Sequence, residues 1–423
     1  MGQSFSSTFA NEDRGDLESS FTAYFNNTEI ENEIIPPEII RSIKRSLRRG
    51  NVHQAHYIIS NRLRDIYYAP INIAVTGESG AGKSSFINAL RGVGPEEEDA
   101  TQVGIAETAM RRIPYKHPKI ETLTFWELPG IGTMNIPPKY YLEKMKFQEY
   151  DFFVILSATR FKLLELDLAQ AIKLKRKICY FVRTKVDADL QNEKESKPCT
   201  FDRVKTLQQV RRYCVNTFIQ NNMDAPPIFL ISNHNLSDYN FPVLMDALIK
   251  FLPAQKHHNF ILSLPNNTEA VVDKKHKSMQ QFILLEACQA GILATVPTVD
   301  ILMDEVEELK VKLNHYRVLF GLDDESLEVM ANDSQVPVEQ LKKNIKSPYL
   351  LETKKEETLG EMVLKYVEKF ASANGGPLAT GHYFGKTFYL QLYFLDTVTE
   401  DAKVLLRETY FKKLVQAQLI HSD

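Results

Sequence analysis

The segment Gly77-Glu78-Ser79-Gly80-Ala81-Gly82-Lys83-Ser84, set directly after the apolar run Ile71-Asn72-Ile73-Ala74-Val75-Thr76, constrains this chain more than any other feature. The apolar run reads as a buried strand. The loop after it can turn its backbone N–H groups inward, because Gly80 and Gly82 have no side chain to block them. A helix opens at Lys83, so its positive end and the ammonium would meet the same anion. This is the pattern of a phosphate cradle lined by Glu78, Ser79, Gly80, Ala81, Gly82, Lys83, Ser84 and Ser85, with the Ser84 hydroxyl placed to hold Mg²⁺. A chance match in a loop would lack the strand before it and the apolar helix start Phe86, Ile87, Ala89 and Leu90 after it.

A nucleotide fold of this kind needs a second metal-side group and a base-reading loop at the ends of further strands. The run Leu123-Thr124-Phe125-Trp126 ends in Glu127-Leu128-Pro129-Gly130, which fits a strand leading beneath the terminal phosphate. The run Cys179-Tyr180-Phe181-Val182-Arg183 ends in Thr184-Lys185-Val186-Asp187, a guanine-reading pattern. Asp187 can accept from both the N1–H and the exocyclic amine of guanine, while the Lys185 stem covers the ring. Adenine offers no such donor pair and would leave the carboxylate unpaired. A further strand, Ile228-Phe229-Leu230-Ile231, runs into Ser232-Asn233, where a backbone amide can meet the guanine carbonyl. Guanine nucleotides, GTP and GDP, are therefore expected over adenine ones.

Two positions depart from the signalling type of this chemistry. Glu127 stands where Asp is usual, reaching about 1.5 Å further, and Mg²⁺ tolerates little misplacement. It is expected to support the metal with slow hydrolysis, or else simply to be tolerated. After Gly130 comes Ile131, which cannot orient a water as glutamine would. Another group must do so, from the segment holding Glu107 and Thr108 or from a second molecule. The acidic run Glu96-Glu97-Glu98-Asp99 before that segment reads as a solvated loop, although a nucleotide-sensing switch also needs mobility.

At 423 residues the chain is long enough for two or three compact units, and a net charge of −3 argues against a nucleic-acid binder. Cys179, Cys199, Cys214 and Cys288 show no metal-like spacing, which suits a reducing compartment. Short apolar strands alternate with helical stretches from Ile71 to about Leu252, the pattern of an α/β sheet. Residues 38–64 read as helical, with Arg41, Lys44, Arg45, Arg48 and Arg49 on the face away from Ile40, Ile43 and Leu47. Residues 282–303 are apolar but interrupted by Glu286, Gln289, Pro297 and Asp300, so they read as a buried helix ahead of a membrane-inserting hairpin. Residues 358–371 form an amphipathic stretch whose mixed-sign polar face favours packing on the chain's own domain. Met1-Gly2-Gln3-Ser4-Phe5-Ser6 fits the myristoylation pattern, with Gly2 as the acylated residue. One such chain gives reversible attachment, which self-assembly would reinforce.

Taken together, the phosphate loop with its following Ser85-Phe86-Ile87-Asn88-Ala89-Leu90-Arg91-Gly92, the stretch Phe125-Trp126-Glu127-Leu128-Pro129-Gly130-Ile131-Gly132-Thr133, residues 140–147, Glu149-Tyr150-Asp151-Phe152-Phe153 and residues 181–187 resemble the interferon-inducible immunity-related GTPases of the G-K-S class, and so do residues 396–402. The resemblance implies an α/β P-loop GTPase domain with a mixed, mostly parallel sheet. It also implies an all-α helical domain formed from both termini. The expected division is a tail and helical segment at 1–68, the GTPase domain at 69–253 and a helical domain at 254–423.

The same resemblance implies an interferon-inducible, dynamin-like GTP hydrolase that self-assembles in the GTP state through its nucleotide face. It would act on pathogen-containing vacuole membranes, with related GTPases, regulators among them, as partners. Location would be cytoplasmic with peripheral endomembrane association. Lys83, Glu107 and Thr108 are then the catalytic candidates, Glu107 acting across a dimer, and Ser84 with Glu127 the metal candidates. Guanine falls to Thr184, Lys185, Asp187, Ser232 and Asn233, and Gly130 adjoins the terminal phosphate. The family's second threonine after the switch glutamate is Ala109 here. Together with Glu127 and Ile131 it keeps open a different reading, a GTP-dependent, membrane-recruited binding module that hydrolyses little.

Overall fold

Continuous burial of short apolar runs dictates the architecture. The computed structural model describes residues 34–94, 111–134, 137–294, 305–350 and 382–420. These divide into two compact units, one built on Ala69–Pro253 with Ser263–Asn267, the other on the described parts of 1–68, 254–262 and 268–423.

The first unit is a six-stranded sheet ordered β2-β3-β1-β4-β5-β6. Its strands are β1 (Ile71–Gly77), β2 (Ile113–Lys116), β3 (Leu123–Glu127), β4 (Phe152–Ser157), β5 (Ile178–Arg183) and β6 (Ile228–Leu230). All neighbours are parallel except β2, which lies antiparallel to β3 at the edge. Parallel strands are covered on both faces and so read as unbroken apolar runs; every residue of β4 is buried. Asn72, an amide inside β1, is satisfied by accepting from Trp126 Nε1 at 2.8 Å. Arg112, just before β2, lies 4.3 Å over the Trp126 ring and donates to Tyr150 Oη at 3.2 Å, which fastens the edge hairpin to the sheet.

The core between sheet and helices holds Phe153, Phe161, Phe181 and Phe218. Phe161 and Phe218 each meet Phe181 edge to face, at 5.1 and 4.9 Å. The carboxyl ends of β1, β3, β4, β5 and β6 then deliver their loops to one rim. Register makes this tight: Gly77 lies opposite Leu156. A Cβ at Gly77 would stand 2.2 Å from the Leu156 carbonyl oxygen, with φ at +146°. Segment 263–267 is held to this unit by His117. Because His117 Nδ1 accepts from the N–H groups of Lys119 and Ile120, its Nε2 is the donor to the Ser263 carbonyl at 3.1 Å.

In the helical unit, residues 37–68 form two helices rather than one, Pro37–Arg48 and Val52–Tyr68. Gly50 takes φ +66°, a value that ends a helix, and its N–H donates to the Leu47 carbonyl at 2.9 Å. Asn51 Oδ1 then accepts from Gln54 N–H at 3.1 Å and starts the second helix. Arg41, Arg45, Arg48 and Arg49 are exposed while Ile40, Ile43 and Leu47 are buried. The apolar segment beginning at Phe282 belongs to the helix Glu269–Ala294, with Phe282, Ile283, Leu284, Leu285, Ala287 and Cys288 buried among its neighbours. Residues 295–303 lie outside the described residues, as do the amphipathic stretch 358–371 and Gly2. No helix of the described residues is long and apolar enough to cross a membrane. Asp401, on the long helix His382–Ile420, is buried and accepts from Lys346 and Ser347 N–H at 2.9 and 2.7 Å. That is the role of one residue in the 396–402 stretch: it caps the turn Ser347–Tyr349.

His258 is enclosed here, its ring stacked on Phe282 at 4.6 Å and its Nδ1 2.8 Å from Ser278 Oγ. Burial, with His315 adding to it, pushes its pKa down to about 3. The unfolded chain, titrating near 6.5, then binds the extra proton as pH falls, so stability present above that value is lost with a slope of up to about 1.4 kcal/mol per pH unit. Denaturant unfolding followed from pH 7 to 4 is expected to lose stability more steeply for the native chain than for His258→Phe; equal slopes would remove His258 as the cause.

Candidate active site

The loop from Gly77 to Gly82 owes its shape to positive φ angles, +75° at Gly80 and +84° at Gly82. Gly82 is the N-cap of the helix Lys83–Arg91 and supplies no capping side chain. No capping side chain therefore stands between the positive end of this helix and the loop. Room is limited: a Cβ on Gly82 would come within 3.1 Å of Asn233 Nδ2. Lys83 is buried, and its ammonium donates to the carbonyls of Gly77 and Glu78, both at 3.2 Å. Long bonds to neutral acceptors are readily exchanged for an anion, which binds an ammonium about twice as strongly. At the loop's outer lip Glu78 pairs with Lys162 at 2.6 Å.

The base side is laced to this loop through side chains. Thr184, fully buried, directs its hydroxyl at the Ala81 carbonyl at 2.8 Å and the Ser157 carbonyl at 3.3 Å. Asn233 Nδ2 donates to the Gly82 carbonyl at 3.2 Å. Lys185 is exposed and takes φ +57°, a left-handed value that a non-glycine residue adopts only where its surroundings hold it there. It is the N-cap of the helix Val186–Ser196, so Asp187 falls in the first turn. Asp187 Oδ1 and Asn233 Oδ1 are both buried without a hydrogen-bond partner. The nearby Asp189, by contrast, accepts from Arg183 at 2.6 Å. A buried unpaired acceptor costs about 1–3 kcal/mol, more for a charged one, so this corner is built for a donor that arrives with a ligand. Ser232 is buried, and its hydroxyl accepts from His234 N–H at 3.1 Å.

On the other side, Ser84 Oγ donates to Glu127 at 3.1 Å to Oε1 and 3.0 Å to Oε2. The longer glutamate therefore reaches the serine directly, and the two present hard oxygen donors of the kind that suit Mg²⁺. Gly130 passes so close to the loop that a Cβ would sit 2.8 Å from the Gly77 carbonyl oxygen. Tyr141, wholly buried, holds that turn by donating to the Pro129 carbonyl at 2.7 Å. Ile131 is buried and packs into the core.

The structure thus brings residues 78–85, Glu127, Gly130, Thr184, Lys185, Asp187, Ser232 and Asn233 to one rim. Glu107 and Thr108 lie outside the described residues. Two contributions escaped sequence reading. The sequence points to the backbone amide at Ser232-Asn233, yet the Asn233 side chain ties the phosphate loop. Glu165 lies under that loop, its Oε2 accepting from Lys162 N–H at 2.9 Å. Its only sequence signal is an acid three residues after a helix start, ahead of an apolar run.

The lacing has a measurable worth. Thr184→Val, which keeps the volume and removes the hydroxyl, is expected to lower stability by about 1–2 kcal/mol in denaturant unfolding, with Thr184→Ser recovering most of it. Equal stability of all three would show that the Ala81 bond contributes nothing.

Comparison with known proteins agrees with this chemistry. The family model described as Interferon-inducible GTPase (IIGP) matches residues 36–409. The chain is 49% identical to Interferon-inducible GTPase 1 of Mus musculus over 409 residues, 96% of this chain and 99% of that protein. It is 47% identical to Interferon-gamma-inducible GTPase 10 of Mus musculus, over 97% of this chain and 98% of that one. It is 46% identical to T-cell-specific guanine nucleotide triphosphate-binding protein 2 of the same organism, over 94% and 96%.

Proposed function

Because the chain belongs to the interferon-inducible GTPase family and is a GTP hydrolase, we propose that the rim described above is its catalytic site and that GTP binding there drives self-association on a membrane. The triphosphate lies in residues 78–85. Lys83 leaves the carbonyls of Gly77 and Glu78 for the phosphates, and the open helix end adds its N–H groups. The Lys185 stem covers the base, Asp187 accepts from its N1–H and amine, and Ser232 with Asn233 meets its carbonyl edge. Ser84 and Glu127 are the residues that would hold Mg²⁺, whose chemistry is to neutralise phosphate charge. The one observation that carries the reading is the buried, unpartnered Asp187 Oδ1, since guanine supplies the donors it lacks.

Glu107 and Thr108 act on the attacking water, a task that Ile131 cannot perform from the core. Gly130, against the phosphate loop, senses the terminal phosphate. The GTP form associates through its nucleotide face with a second copy or with related family members. Acylated Gly2 supplies reversible attachment to endomembranes and to the vacuole around an intracellular pathogen. In the competing reading the protein assembles on GTP and turns little of it over; the buried Ile131 supports that reading.

Two measurements separate these. Specific GTP turnover is expected to rise with protein concentration, as catalysis across a dimer demands, whereas a flat, near-zero line favours the binding module. Asp187→Asn replaces an acceptor by a donor that matches the second carbonyl of xanthine. The variant is expected to lose at least about 100-fold in GDP affinity and to bind xanthosine diphosphate better than GDP, while unchanged GDP affinity removes Asp187 from the base site.

A further inference from the structure

The first turn of the helix Leu163–Leu174 places a carboxyl group where charge is hard to keep. Glu165 is 2% exposed. One oxygen accepts from Lys162 N–H, and the other, Oε1, is buried without a hydrogen-bond partner. The side chain borders a cavity of about 10 Å³, the size of a single water. Thr76, Gly77 and Glu78 at the head of the phosphate loop form one wall, and Ile131 and Gly132 in the turn after Gly130 form another. The group thus sits beneath both segments that meet a terminal phosphate.

Few charges act on it. The Glu78 carboxylate faces it from the loop and the Lys162 ammonium from its own helix cap, and these two pair with each other at 2.6 Å. Lys139, Glu143 and Lys144 on the neighbouring helix Pro138–Lys144, and Arg183 on β5, are not among the groups acting on it. The turn Ile131–Met134 carries no titratable side chain. Burial therefore prevails over the Lys162 N–H bond that favours the anion, and it pushes the carboxyl up to about 7.

We propose, resting on residues 77–84 as the phosphate loop, that Glu165 sets the site's preference between guanosine diphosphate and triphosphate: its carboxylate takes up one proton from solvent as the γ-phosphate enters, and the neutral acid is the form that accepts the triphosphate. The γ-phosphate is the group nearest the turn after Gly130, so it adds negative charge on the side where Glu165 lies. A second anion behind the same thin wall is opposed in a low-dielectric interior. Protonation relieves it, and the new O–H gives the buried oxygen a donor role toward the cavity. The diphosphate lacks that group and leaves the carboxyl as it was.

If the triphosphate raises the carboxyl by about one pH unit, linkage gives about 0.4 extra proton bound at pH 7 and a roughly fivefold fall in triphosphate affinity, relative to diphosphate, between pH 6 and 8. Calorimetry of the full chain with GDP and a non-hydrolysable GTP analogue, in two buffers of different ionisation heat, reads both quantities. The native chain is expected to take up the extra proton with the analogue only. Glu165→Gln, which keeps the acceptor for Lys162 N–H, is expected to lose this uptake and the pH-dependence of the affinity ratio while still binding both nucleotides; Glu165→Asp is expected to retain them. Should Glu165→Gln not fold, Glu165→Met serves as the non-titrating variant. Equal proton counts for the two nucleotides, or the same pH-dependence in native and non-titrating proteins, would overturn the role of Glu165 alone. Failure of the native chain to bind either nucleotide would overturn the phosphate-loop reading along with it.

Discussion

The hydroxyl of Thr184 against the Ala81 carbonyl joins the two halves of the site. Without it the phosphate loop and the base-reading loop would be separate excursions from strands β1 and β5, which do not touch, because β4 lies between them. Thr184 spans that gap with the Ser157 carbonyl at the end of β4 as its second acceptor, and its own N–H donates to the same oxygen at 2.9 Å. Asn233 repeats the device from the loop after β6. The sheet fixes which loops share a rim, and these few side-chain bonds fix their separation, which must match the span from a nucleotide's phosphates to its base.

The close approaches on the other side follow the same logic. Gly77 and Gly130 are required by space: backbone carbonyls stand 2.2 and 2.8 Å from where their Cβ atoms would be. Tyr141, holding Pro129 from the core, makes the turn at Gly130 a fixed wall on which the phosphate loop rests. In the proposed site this is the seam that the γ-phosphate meets. Glu127 fits the seam by reaching Ser84 with both oxygens, so the longer side chain is accommodated by contact and not by displacement.

Much of this was legible in the chain itself, for a physical reason. Parallel strands buried on both faces must be short unbroken apolar runs, and loops that hold anions must be glycine-rich, so β1, β3, β5 and the segments after them could be read directly. β2 could not: Ile113-Pro114-Tyr115-Lys116 is a largely exposed edge and carries none of that signal. The break at Gly50 is written in the chain as Gly50-Asn51, a helix-stopping glycine followed by a capping asparagine, but the apolar residues on either side of it mask that signal. Glu165 was missed because charged residues are ordinarily solvated, and nothing in sequence shows that this one is roofed by the phosphate loop. For Asn233 the sequence located the residue but not the atom that acts, because an amide side chain offers four bonding positions and the fold chooses among them.

The buried acceptor at Asp187 ties the guanine assignment to a single comparison. Calorimetry of the unaltered protein with GDP and with ADP, in the presence of Mg²⁺, measures the discrimination that a buried, unpartnered carboxylate oxygen enforces. Guanine reading at this position predicts that GDP binds at least about 10⁴-fold more tightly than ADP. Comparable affinities for the two would contradict it, and with it the assignment of this rim as the site at which the chain hydrolyses GTP.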